Sequence, residues 1–142
     1  MSQSPLDVLL VEDSPTTAEL FVFALKSIKS AASIHVVRDG VEALDLLLGA
    51  ATEDQSAPHV LPRLVLLDLH MPRVNGFEVL QHLRANERTR RLPVVVYSSS
   101  DQESDRREVF RLGADGYINK PAGYKDFRET VAQLERDWLQ AE

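Results

Sequence analysis

The stretch Leu64-Val65-Leu66-Leu67-Asp68-Leu69-His70-Met71-Pro72 decides how this chain is read. Four consecutive apolar residues fit a strand buried on both faces of a sheet, and the run delivers Asp68 at its carboxyl end. The pattern occurs twice, because Val8-Leu9-Leu10-Val11 leads into Glu12-Asp13-Ser14 in the same way. Parallel strands place their carboxyl ends along one edge of the sheet, where open α/β folds bind their ligands. Glu12, Asp13 and Asp68 are therefore expected to meet there. Three crowded carboxylates repel one another and stay ionised only if a cation holds them, so the site asks for a hard divalent ion.

Working outward from that stretch, short β-rich runs alternate with segments of helical period, the sign of a parallel sheet covered on both faces. Five such pairs are expected. Strand one spans about Leu6 to Val11, and its helix runs from Pro15 to about Ile28 with Ser14 as cap and Pro15 at the first helical position. Strand two is about Ile34 to Val37, followed by a helix with Val41, Leu44 and Leu48 as its buried stripe. Residues 49–62 read as a surface loop, longer than most helix-to-strand connections. After strand three, Asn75-Gly76 turns the chain into a helix with Phe77, Leu80 and Leu83 inward. Strand four is Val94 to Tyr97 and ends in Ser98-Ser99-Ser100. A capping box of Ser100 and Glu103 then opens a helix that Gly113 stops. Strand five is Gly116 to Ile118, and the last helix, about Tyr124 to Leu139, has Phe127, Val131, Leu134 and Trp138 at helical spacing.

Composition narrows the class. With 142 residues, 44% apolar and 27% charged, the chain fits one globular domain with a single core. A formal net charge of −6 argues against nucleic acid or an anionic membrane as a direct partner. The most basic run, Arg84 to Arg91, is broken by Glu87 and reads as a solvated face beside a helix end. No cysteine is present, which removes disulfides, thiol chemistry and thiolate metal sites. His35, His59 and His82 have no zinc-like spacing. Without a signal-peptide pattern or a membrane-length apolar run, the expectation is a soluble cytoplasmic protein.

Taken in order, these motifs resemble the response-regulator receiver domains of two-component signalling. The resemblance rests on Val11-Glu12-Asp13-Ser14, Asp39-Gly40-Val41-Glu42-Ala43-Leu44, Asp68-Leu69-His70-Met71-Pro72, Ser98 at the end of strand four, and Gly116-Tyr117-Ile118-Asn119-Lys120-Pro121. It covers nearly the whole chain. It implies a flavodoxin-like (βα)5 fold with a five-stranded parallel sheet in the order 2-1-3-4-5 and helices on both faces. One receiver domain would fill residues 1–142, with its core at about 6–139 and no output domain. The long second loop and the ending Asp137-Trp138-Leu139 resemble the stand-alone subgroup associated with phytochrome-type sensor kinases.

The resemblance further implies that Asp68 accepts a phosphoryl group from a histidine of a sensor histidine kinase, such as a bacteriophytochrome. Mg²⁺ would be held by Asp13, Asp68, the backbone carbonyl of His70 and, through water, Glu12. Lys120 would pair with Asp68 at rest and with a phosphoryl oxygen afterwards. Ser98 would donate its hydroxyl to another phosphoryl oxygen, and Tyr117 would fill the space that Ser98 leaves, reshaping the face of helix four, strand five and helix five. The His70 ring is expected to face solvent and tune access to the site. A homodimer through the switch face is expected, with Trp138 serving as a core residue or as a dimer contact. Such a module is not an enzyme beyond self-phosphorylation and slow self-dephosphorylation.

Other readings fit parts of the pattern. Any one of the three acids is as readily a helix cap, and Lys120, Ser98 and Tyr117 taken singly are ordinary surface, turn and sheet residues. A phosphorelay shuttle shares every motif. A phosphohydrolase working through an aspartyl phosphate needs a second acid two residues after the nucleophile, where this chain has His70. A scaffold without phosphoryl chemistry would lack the acids, the lysine and the serine that are present here.

Overall fold

The computed structural model describes residues 7–28, 30, 32–48, 61–71, 73–99, 102–120 and 123–139, with the side chain of Tyr124 outside that description. Among the described residues five strands and five α-helices alternate. They are β1 (Val8–Val11), α1 (Pro15–Ser27), β2 (Ile34–Val37), α2 (Gly40–Leu48), β3 (Leu64–Leu67), α3 (Gly76–Ala85), β4 (Val94–Ser98), α4 (Glu103–Arg111), β5 (Gly116–Asn119) and α5 (Tyr124–Leu134). A π-helical turn, Glu135–Leu139, continues α5. All strand pairs are parallel and the order is β2-β1-β3-β4-β5, the flavodoxin-like arrangement expected.

Alternation along each strand sorts the core into two layers. Leu9, Val11, Val65, Leu67, Val94 and Val96 face one side, where Val37, Ala43, Leu47, Val79, Leu80, Leu83 and Val109 pack against them. Val8, Leu10, Leu64, Leu66, Val95 and Tyr97 face the other, where they meet Phe21 of α1 and Phe127, Val131 and Leu134 of α5. The central strands β1, β3 and β4 are buried along their whole length, which is why their sequences are unbroken apolar runs rather than alternating ones.

The helix starts follow local chemistry. Ser14 accepts a hydrogen bond from the Thr17 N–H, and Pro15 occupies the first turn of α1, where its missing N–H costs nothing. Asn75 and Glu78 form a reciprocal capping box at α3 that the sequence reading did not identify. The box expected at α4 is corrected: Gln102 is the N-cap, it makes no side-chain capping bond, and Glu103 is the first helical residue. Ser100 lies outside the described residues, as do Leu6, residues 49–60, Pro72 and Pro121.

Two buried stripes also differ from expectation. In α2 the fully buried residues are Gly40, Ala43 and Leu47, while Val41, Leu44 and Leu48 are only half-buried. Close approach selects glycine at position 40, since a Cβ there would run into the carbonyl oxygen of Val74, while Leu44 and Leu48 still pack against the core. In α5 the stripe runs Phe127, Val131, Leu134 and then Leu139 rather than Trp138. The π-turn carries one extra residue per turn, so the inward position moves from i+4 to i+5. Trp138 becomes a half-buried residue packed against the α1–α5 layer, and Arg63 donates to the Leu139 carbonyl at 2.8 Å.

Candidate functional site

The strand ladders themselves assemble the site. Val11 of β1 is in register with Leu67 of β3, and the pairing continues one step beyond both strands as the Asp68 N–H donates to the Val11 carbonyl at 3.0 Å. Glu12 and Asp68 thus leave adjacent central strands side by side. Ser98 closes β4 opposite Asn119 of β5, and the Lys120 N–H donates to the Ser98 carbonyl at 2.9 Å, which brings Lys120 to the same edge. The loop after β3 turns sharply into α3 because Gly76 packs against the Asp68 carbonyl, where a Cβ would collide.

Glu12 and Ser98 are almost completely buried, and Asp68 is 6% exposed. Asp13 is exposed. One oxygen each from Glu12, Asp13 and Asp68 lies within 4.8 Å of the others, the one cluster of potential metal ligands among the described residues. Oxygen-only donors at this spacing suit Mg²⁺ or Mn²⁺ and not a soft metal. Lys120 faces the cluster with its Nζ 2.7 Å from Glu12 Oε1 and 3.6 Å from Asp68 Oδ1. The sequence reading paired Lys120 with Asp68 at rest, whereas the closer partner is Glu12. The other oxygen of Glu12 accepts from the Ser14 N–H, so this buried carboxylate is anchored at both ends.

The charge count is short of balance. Burial pushes the Asp68 carboxyl up to about 6 and Glu12 pushes in the same direction; Lys120 and a backbone N–H from His70 oppose them, and Asp13 adds to the upward push. A carboxyl in that state gains from any cation brought beside it.

The other expected residues fall as follows. The His70 side chain is 60% exposed, and its Nε2 lies 3.7 Å from Asp105 Oδ2 near the start of α4. Tyr117 is half-buried on β5, with the Arg106 guanidinium 5.8 Å from its ring centre and 5.7 Å from that of Phe110. One neighbour of the site was missed in the sequence: Tyr97, whose ring centre is 5.6 Å from Lys120 Nζ. Its signal was an aromatic residue in an otherwise all-valine run directly before Ser98.

Residues 8–132 match the Response regulator receiver domain family. The chain is 36% identical to the probable methanogenesis regulatory protein FilR2 of Methanothrix harundinacea, over 97% of this chain and 86% of that protein. It is 34% identical to the response regulator Rcp1 of Synechocystis, over 98% of this chain and 92% of that one. Among solved structures, that of phosphorylated RcpA, a cyanobacterial phytochrome response regulator, superposes with a TM-score of 0.84 at 33% identity and covers 95% of this chain and 94% of that one. The Mn²⁺-bound form of Rcp1 gives 0.83 at 33% identity, with 97% of each chain covered.

Proposed function

This chain belongs to the response regulator receiver domain family, and from that premise we propose that it receives a phosphoryl group on Asp68 from the histidine of a phytochrome-type sensor kinase. The observation that carries the reading is the charge deficit at the sheet edge: three carboxylates within 4.8 Å, with Lys120 as the ammonium beside Glu12 and Asp68. Such a site favours whatever delivers positive charge. Asp13, Asp68 and the His70 carbonyl would hold Mg²⁺, with Glu12 acting through water. Bound there, the ion would neutralise the oxygens of the incoming phosphoryl group, which a carboxylate nucleophile otherwise repels.

In the transfer, an Asp68 oxygen forms the new bond to phosphorus while the bond from phosphorus to the donor imidazole nitrogen breaks, and its electron pair stays on that nitrogen. Lys120 already lies within ion-pair range of Asp68 Oδ1 and supplies charge to the arriving phosphoryl oxygens. Ser98, on the strand next to β3, offers its hydroxyl to one of them. As Ser98 is drawn inward, Tyr117 follows and the α4–β5–α5 face changes shape, a two-state element biased by local charge. The output of this receiver domain is that surface, presented in the cytoplasm by a homodimer, with turnover limited to its own phosphorylation and slow hydrolysis. Among the described residues no helix is long and apolar enough to cross a membrane.

The test is the intact mass after incubation with Mg²⁺ and acetyl phosphate. One added phosphoryl group is expected, absent in Asp68→Asn and absent with a chelator. Addition that persists in Asp68→Asn would move the acceptor elsewhere. Sustained turnover of organic phosphate esters would instead favour a phosphohydrolase. Sedimentation with and without a phosphoryl mimic tests the dimer, and a monomer under both conditions well above micromolar concentration would overturn it.

A further inference from the structure

We infer that Tyr97 is a positioning residue for Lys120, its ring face holding the lysine ammonium over the acid cluster; the inference rests on the reading of Asp68 as phosphoacceptor. Tyr97 is completely buried, and its hydroxyl has no hydrogen-bond partner among the described residues. Burial without a partner for the hydroxyl leaves the ring, and not the phenol oxygen, as the part of Tyr97 that meets a charged neighbour. Strand alternation turns Tyr97 into the α1–α5 layer while its neighbour Ser98 lies at the phosphoacceptor edge.

Two rings lock its orientation edge to face: Phe21, with centroids 6.1 Å apart at 76°, and Phe127, 6.2 Å apart at 88°. Thus fixed, the ring lies 5.6 Å from Lys120 Nζ, inside the distance of about 6 Å over which an aromatic face attracts an ammonium. Lys120 therefore has three anchors, two carboxylates and a desolvated aromatic ring. The carboxylates are the groups whose charge changes when Mg²⁺ binds or Asp68 is phosphorylated. The ring is unaffected by either event and keeps the ammonium at the edge throughout. Burial and the nearby Glu12 both push the phenol upward from its ordinary value, so Tyr97 adds no further negative charge to the cluster.

The experiment compares wild type, Tyr97→Phe and Tyr97→Leu as full-length proteins. Phosphoryl uptake from acetyl phosphate in Mg²⁺ and its loss after donor removal are followed by intact mass, and the Lys120 side-chain resonances by NMR on lysine-labelled protein. In wild type the ring current should displace the Lys120 methylene signals, and Tyr97→Phe should retain both that displacement and the wild-type rates. Tyr97→Leu should abolish the displacement and slow uptake at saturating donor by about five- to thirtyfold, the scale of one largely desolvated cation–π contact. Tyr97→Met, whose side chain adapts to irregular gaps, repeats the comparison if the leucine variant does not fold.

Wild-type rates in Tyr97→Leu or Tyr97→Met would overturn the inference. So would Lys120 signals in wild type without a ring-current displacement, or a Tyr97→Phe variant as slow as Tyr97→Leu. Wild type that takes up no phosphoryl group at all would instead remove the phosphoacceptor reading, while the ring-current measurement would still report on the contact itself.

Discussion

The two ends of the sheet hold buried charge in opposite ways. At the amino edge, Arg84 of α3 has a side chain only 17% exposed, and it donates to the carbonyls of Gly113, Leu92 and Thr89 at 2.9, 2.8 and 3.2 Å and to Asp115 Oδ2 at 3.0 Å. Asp115 also accepts from the Val94 N–H at 2.9 Å, and the buried Thr89 hydroxyl donates to the Leu83 carbonyl at 2.7 Å. One cation there meets enough acceptors to replace the water it lost. At the carboxyl edge three carboxylates gather and two of them pair with Lys120, and burial and repulsion push Asp68 up to about 6. A satisfied buried charge ties elements together, whereas an unsatisfied one stores free energy that a ligand can release. The first edge is balanced in charge and the second is not.

The largest effect is expected from Arg84→Met. Removing the guanidinium leaves three part-buried carbonyls short of a donor while the exposed Asp115 can turn to water, and a loss of about 1–3 kcal/mol in urea-unfolding free energy is expected. Phosphoryl uptake should be unchanged under conditions where the variant is folded. A loss below about 1 kcal/mol would mean that the amino edge is no better built than an exposed ion pair.

At the opposite edge the sign should reverse. The folded Asp68 carboxyl titrates at about 6 against 3.8 as its ordinary value, so between those pH values the folded state binds more protons than the unfolded one. Stability of the metal-free protein therefore falls as pH rises through that window, with the penalty fully present above about pH 6. Asp68→Asn should stabilise the metal-free protein at pH 7.5 by on the order of 1–3 kcal/mol, with the difference vanishing towards pH 4. Unfolding curves at both pH values read this directly, and a destabilised Asp68→Asn at pH 7.5 would contradict it.

Mg²⁺ should offset the same penalty. At tenfold its dissociation constant, stabilisation of wild type by about 1.4 kcal/mol is expected, seen as a rise in Tm, with a much smaller rise in Asp68→Asn. Arg84→Met should respond to Mg²⁺ as wild type does, since its defect lies at the other edge. The smallest effect is predicted away from both ends. Glu108 and Arg111 pair on the solvent side of α4, and Glu108→Ala should leave Tm and phosphoryl uptake unchanged within error.

Legibility in the sequence followed the range of the interactions. Val8–Val11, Leu64–Leu67 and Val94–Val96 are apolar without interruption because both sheet faces are covered, so the strands and the acids at their ends could be read directly. Ser14 and Pro15 likewise announce α1 within two residues. Arg84 was misread as part of a solvated basic run, because its partners stand 5 to 31 residues away. The expected stripe of α2 was right in part, since Leu44 and Leu48 pack against the core, but Ala43 and Leu47 are more deeply buried, and the close approach of the Val74 backbone demands glycine at position 40. The π-turn after Leu134 shifted the last inward residue from Trp138 to Leu139, a change that no regular period anticipates.

The sequence alone was enough to place Glu12, Asp13, Asp68, Ser98 and Lys120 along one edge of the sheet, because strand period and strand direction are local properties of the backbone. Only the tertiary structure decided how the charges at that edge are shared: that Lys120 sits nearer Glu12 than Asp68, and that Tyr97 supports it from the α1–α5 layer. Glu12 and Lys120 are 108 residues apart, and their 2.7 Å contact follows from the order in which β1, β3, β4 and β5 lie side by side. Distances of that kind are set by packing between layers, and the sequence records packing only as a demand for apolar volume.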